Sequence, residues 1–118
     1  MRYKTIQQMM TGVAVPLGGL RTEKSCGIGE FTDLLPFARW AHECGMRLIQ
    51  LLPINDTGEE RSPYSALSAF ALHPVYITLS ALPLSSPLQK KVDQFSQQHR
   101  QDAMIAWLDV VRFKRSIL

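Results

Sequence analysis

The sequence predicts an α/β fold led by a strand–helix–strand unit, and three stretches predict it. Gly12-Val-Ala-Val-Pro-Leu17 is a short apolar run, residues 30–44 carry an apolar stripe, and Met46-Arg-Leu-Ile-Gln-Leu-Leu-Pro53 is a near-continuous apolar run. Two strands joined by a helix within about 40 residues form a βαβ crossover, in which the strands run parallel and the hand is right-handed.

Each element has a local reason. Residues 12–17 suit a buried strand that is already turning at Pro16. Gly18-Gly19 opens a loop that runs through Arg21, Glu23, Lys24 and Ser25 to Gly27-Ile28-Gly29. That spacing lacks a third glycine and a Gly-Lys-Ser/Thr, so neither the dinucleotide fingerprint nor the P-loop is met, and a turn into a helix explains the glycines. Over residues 30–44, Phe31, Leu34, Leu35, Phe37, Ala38, Ala41 and Cys44 recur at helical steps. Pro36 lies early enough in that helix to cost little, Gly45 is a ready C-terminal cap, and His42 faces solvent. Leu48, Ile49, Leu51 and Leu52 then predict a strand buried on both faces.

The second half is less regular. A long loop, Ile54 to Ser65, follows the second strand, and structureless loops of this length are usually functional. Val75-Tyr-Ile-Thr-Leu79 has strand composition, Ser80 to Pro87 reads as a linker, and a helical pattern runs from Leu88 to the end.

Composition narrows the class. The chain has 118 residues, 46 % apolar and 19 % charged, which is globular rather than disordered or fibrous. This length fits one domain, residues 1–118, and excludes a complete (β/α)₈ barrel of about 250 residues. No apolar run reaches the roughly 20 residues of a membrane span, so no membrane partner is expected. Met1-Arg2-Tyr3-Lys4 leads to Gln7 and Gln8 rather than to an apolar stretch, so no signal peptide is expected. Cys26 and Cys44 read as reduced thiols of a cytoplasmic protein. The histidines at 42, 73 and 99 are too scattered for a metal site, and no cofactor is expected. The net charge of +3 comes entirely from residues 87–118, where Lys90, Lys91, Arg100, Arg112, Lys114 and Arg115 outnumber three aspartates. With acidic residues interleaved and no aromatic platform, this reads as a solvated helix face and not as a nucleic-acid surface.

The chemistry legible from residue types alone is thin. Asp56, Glu59 and Glu60 share the long loop, and carboxylate pairs do glycosidic acid/base work at about 5–5.5 Å (retaining) or about 6.5–9.5 Å (inverting), but adjacent loop glutamates beside Arg61 are more often solvated. Three ordered motifs add more: Gly27-Ile-Gly-Glu-Phe-Thr-Asp33, Gln50-Leu-Leu-Pro-Ile-Asn-Asp-Thr57, and Ser62-Pro-Tyr-Ser-Ala-Leu-Ser-Ala-Phe-Ala-Leu-His-Pro74. Together they resemble the start of the catalytic barrel in 4-α-glucanotransferases, the amylomaltases or disproportionating enzymes. Asn55-Asp56-Thr57 and Phe70-Ala-Leu-His-Pro74 are closer to the plant cytosolic type than to short bacterial amylomaltases, which read more like G-P-T-G and F-A-G-N-P. Phe113-Lys114-Arg115 also resembles the family's helix leading to its next segment.

The resemblance implies an N-terminal fragment of a (β/α)₈ TIM barrel, with a βαβ unit, a long loop and a C-terminal helix. It implies retaining transfer of an α-1,4-glucan or maltooligosaccharide segment to an acceptor glucan or glucose. The family's aspartate nucleophile, glutamate acid/base and second aspartate lie downstream of these motifs, so Asp33, Asp56, Glu59 and Glu60 take none of those roles and no catalytic residue is assigned. Ser62 and Tyr64, with Pro63 between them, resemble a donor-side sugar-binding element: a tyrosine offers an apolar face to sugar C–H groups and a hydroxyl to the polar rim. His73 is expected to be a structural hydrogen-bonder. With two strands of eight, the chain reads as a truncated product or partial reading frame, inactive alone; the alternative is a catalytically dead carbohydrate-binding or interaction protein derived from that barrel.

Overall fold

The computed structural model describes residues 9–118, so the N-terminal residues used above to argue against a signal peptide lie outside the described residues. Strands β1 (Gly12–Val15) and β2 (Leu48–Leu51) pair in parallel, Gly12 opposite Leu48 and Val15 opposite Leu51. Both are shorter than the apolar runs that predict them. The ladder closes with Leu52 N–H donating to the Val15 carbonyl at 3.0 Å. Beyond it stand Pro16 and Pro53, which have no N–H to continue the pairing.

The helix expected over 30–44 forms in two steps. A 3₁₀ turn at Phe31–Asp33 leads into α1 (Leu34–Glu43), and Pro36 falls in the first turn, where its missing N–H would have no partner inside the helix. Gly45, at φ +80°, ends α1: its N–H reaches the His42 carbonyl at 2.9 Å and Met46 N–H reaches the Ala41 carbonyl at 2.9 Å, the paired closure of a Schellman cap.

Three expectations are corrected. Neither strand is buried as expected: in β1 Val13 and Val15 are half-buried while Gly12 and Ala14 are exposed, and in β2, expected to be buried on both faces, Ile49 and Leu51 are half-buried while Leu48 and Gln50 are exposed. Among the described residues there are two strands and one crossover helix, with Ala41 the one fully buried residue of α1, and no described element covers the second face. Residues 75–79 form no strand but two 3₁₀ turns, Pro74–Tyr76 and Leu79–Ala81. His73 Nδ1 accepts the Val75 N–H at 3.1 Å, and Ile77 N–H reaches the Pro74 carbonyl at 3.1 Å, so the backbone is satisfied locally while Val75, Tyr76 and Leu79 still bury their side chains. The C-terminal helical pattern divides into α2 (Ser86–His99), which takes Pro87 into its first turn, and α3 (Trp107–Ile117).

The core lies against α3 rather than on the sheet. Leu17, Ile28, Val75, Tyr76, Trp107, Val110 and Val111 form one buried cluster; Cys26, Leu79 and Val92 form a second. Phe95 of α2 and Phe113 of α3 stack with centroids 3.9 Å apart, joining the two helices. Gly29 shows why the glycine loop needs no ligand: a Cβ there would stand 2.2 Å from the Leu17 carbonyl oxygen, and the Gly29 N–H bonds to the Gly18 carbonyl at 2.9 Å. Close backbone packing accounts for the residue.

Candidate functional site

The loop after β2 leaves the C-terminal end of the parallel pair, the edge along which α/β proteins build ligand sites. It is closed at its neck. Asn55 and Leu72 form an antiparallel bridge, His73 N–H donates to the Ile54 carbonyl at 2.9 Å, and Asp56 N–H to the Ala71 carbonyl at 2.8 Å. Leu67 N–H then donates to the Asp56 carbonyl at 2.8 Å, and the Asn55 side-chain amide donates to the Ala69 carbonyl at 3.0 Å.

Above the neck, side chains from outside the loop hold residues 56–59. His73 is buried with Nδ1 accepting from Val75, which places the ring proton on Nε2, donated to the Gly58 carbonyl at 3.0 Å. Burial pushes the His73 pKa down, so the ring stays neutral and serves as the structural hydrogen-bonder expected of it. Trp107 Nε1 donates to the Glu59 carbonyl at 2.9 Å. Arg112 donates to both Glu59 carboxylate oxygens, Nε at 3.2 Å and Nη2 at 3.3 Å, and these hydrogen bonds with the guanidinium charge lower the Glu59 pKa. Arg115 stands 3.5 Å from the Asp56 carboxylate. Glu59 is therefore an anchored carboxylate, while Glu60 makes only the local turn back to Thr57.

The two sugar-binding candidates sit on the loop's tip. Ser62 is half-buried and Tyr64 is 72 % exposed; the Tyr64 N–H donates to Ser62 Oγ at 3.4 Å. Beside them a cavity of about 290 Å³ opens along the strand ends, with Leu17, Leu52, Arg61, Pro63, Tyr76 and Trp107 in its wall. Phe70, farther along the loop, is 95 % exposed. Thus Pro63 turns toward the cavity while the Tyr64 ring stands free beside it.

A buried polar cluster supports the base. Asp33 accepts from Thr22 Oγ1 at 2.8 Å, Ser25 Oγ at 2.7 Å and the Glu30 N–H at 2.8 Å, a structural hub rather than a reactive carboxylate. Lys114 corrects the reading of the basic tail: it is 0 % exposed, paired with buried Glu30, and donates to the Ile77 carbonyl at 2.8 Å. Desolvation raises the Glu30 pKa, against the pull of the Lys114 charge. Among the described residues no group of His, Cys, Asp and Glu is arranged to hold a metal ion, and no helix is long and apolar enough to cross a membrane. Both cysteines are free thiols, Cys26 buried and Cys44 exposed.

The parallel pair, with an anchored loop and cavity at its C-terminal edge, defines an α/β protein with its candidate site on the strand ends. The chain belongs to the 4-alpha-glucanotransferase family, whose pattern matches residues 15–118. It is 40 % identical over 107 residues to a 4-alpha-glucanotransferase of Chlamydia muridarum, covering 89 % of this chain and 20 % of that protein. Over 72 residues it is 54 % identical to the enzyme of that name in Chlamydia trachomatis serovar D, covering 61 % of this chain and 14 % of the relative. Over 95 residues it is 45 % identical to 4-alpha-glucanotransferase DPE2 of Oryza sativa subsp. japonica, covering 76 % and 10 %. The chain spans a fifth or less of the length of these curated relatives.

Trp107, Arg112 and Lys114 were not legible as parts of this assembly. Their partners Glu59 and Glu30 lie 48, 53 and 84 positions away, and no local pattern marks such pairs.

Proposed function

We propose that this chain forms the opening portion of the (β/α)₈ catalytic barrel of a cytoplasmic 4-alpha-glucanotransferase. The enzyme transfers a segment of α-1,4-glucan or maltooligosaccharide to an acceptor glucan or glucose. In a retaining transfer a carboxylate displaces the leaving glucan at the anomeric carbon while an acid protonates the departing oxygen; an acceptor hydroxyl then displaces the carboxylate. Those carboxylates belong to other parts of the enzyme, and this segment supplies Ser62 and Tyr64 to the donor sugar. The observation that carries the reading is the family match running through a loop whose base is tied down and whose aromatic tip is exposed at the strand ends. An exposed ring on an anchored loop suits stacking against a sugar face.

The test is Tyr64→Ala in the full-length glucanotransferase polypeptide carrying this segment. Loss of the platform and hydroxyl should lower kcat/KM about ten- to hundredfold, from roughly 1–3 kcal/mol of lost transition-state binding. The melting temperature should hold, because an exposed ring leaves no core cavity. A clear fall in melting temperature with normal kinetics would remove Tyr64 from the site.

A further inference from the structure

Among the described residues the tip of the loop makes local hydrogen bonds alone: Glu60 N–H to the Thr57 carbonyl at 3.1 Å, Ser65 N–H to the Ser62 carbonyl at 3.1 Å, and Tyr64 N–H to Ser62 Oγ at 3.4 Å. Its placement is decided just before it. Three side chains from outside the loop converge on two consecutive residues: His73 on the Gly58 carbonyl, Trp107 on the Glu59 carbonyl, and Arg112 on the Glu59 carboxylate. Two of the three come from α3. Trp107 also meets the His73 ring edge-on, with centroids 5.4 Å apart, and shares the cavity wall with Pro63.

We infer that α3 is the positioning element of the sugar-contacting loop, with Trp107 its central contact and Arg112 its second. The inference rests on the donor-side reading of Ser62 and Tyr64. Glu59 is fixed through both its carbonyl and its carboxylate, and Leu67 is fixed to Asp56, so residues 60–66 hang between two tied points. Both α3 side chains are spent on Glu59 through hydrogen bonds. Each acts by holding the chain from which Tyr64 projects, so releasing the chain weakens the ring's contact with the sugar in ground state and transition state alike.

The experiment uses the full-length glucanotransferase polypeptide with maltotriose as donor. Trp107→Phe keeps a ring against His73 and removes the N–H that holds Glu59. Its KM should rise about five- to twentyfold with kcat within about twofold, the pattern of lost uniform binding. In a Tyr64→Ala background the same change should add less than about twofold, because the two substitutions remove one interaction. Arg112→Gln, which releases only the exposed carboxylate, should show the same pattern more weakly and guards against a folding defect in the tryptophan variant. Amide hydrogen exchange over residues 60–66, read in parallel, should accelerate in Trp107→Phe.

An equal loss from Trp107→Phe with and without Tyr64 would overturn the inference, as would a silent Trp107→Phe beside a damaging Tyr64→Ala. If Tyr64→Ala is silent while exchange over 60–66 accelerates in Trp107→Phe, the sugar-contact reading falls and the positioning role of α3 stands. Unchanged exchange in that case removes both.

Discussion

Lys114→Met tests the buried ion pair that joins α3 to the glycine loop. Methionine keeps most of the aliphatic length and deletes the ammonium group. Glu30, 1 % exposed, then retains the Cys26 N–H at 3.3 Å as its remaining donor from outside its own turn, and the Ile77 carbonyl loses the Lys114 N–H. Removing one member of a buried pair costs about 3–5 kcal/mol because the other charge is left uncompensated. Against a typical total of about 5–15 kcal/mol, that is a fall in Tm on the order of 10–20 °C. The cost should depend on pH in a defined direction. Burial already raises the folded pKa of Glu30 above its ordinary 4.5, and losing Lys114 removes the main opposing pull and raises it further. A carboxylate with a raised folded pKa destabilises the fold as it ionises, so the gap between variant and wild type should be widest near neutral pH and narrow as pH falls toward 4.5. Urea unfolding followed through tryptophan fluorescence, from Trp40 and Trp107 together, measures it across that range. Adding Glu30→Gln should recover part of the loss, leaving about 1–3 kcal/mol for the orphaned Ile77 carbonyl. A single-variant cost below about 1 kcal/mol, the size of a surface pair, would refute the reasoning, and so would a gap that ignores pH.

Two further outcomes are expected of the same chain. Gly29→Ala should cost about 1–3 kcal/mol or more, because the new Cβ meets backbone at Leu17 and Leu20 that cannot step aside, whereas Gly45→Ala, strained only through its positive φ, should cost about 1 kcal/mol; equal urea midpoints would contradict the packing argument. His73 is buried neutral with its pKa pushed below the ordinary 6.5, first by desolvation, so its contribution is present above pH 6.5 and is lost as pH falls through the lowered value. The stability difference between wild type and His73→Gln should therefore shrink on acidification below 6.5, and a difference constant from pH 8 to 5 would exclude a neutral buried ring.

Much of the architecture is written locally. Residues 12–15 and 48–51 are apolar runs stopped by prolines, residues 34–43 carry a helical stripe, and Gly45 caps it, so the parallel pair and its crossover helix are readable from neighbouring residues. The position of the long loop at the strand ends follows from the same order. Four features depend on what the rest of the folded chain does or does not bring alongside. Val75 to Leu79 has strand composition, yet strand formation needs a neighbouring strand to take its N–H groups; His73 and Pro74 satisfy them in a turn first. Leu48 belongs to an apolar run, yet burial needs a covering layer, and it stands exposed. Lys114 looks like one more cation on a basic helix, and it becomes a buried anchor because folding brings it to Glu30, 84 positions away. Trp107 reaches the sugar-loop candidate in the same way. Hydrophobic period and turn chemistry act over a few residues and leave a trace in sequence, whereas ion pairs, covered faces and loop anchors are made by chain folding that brings distant residues together.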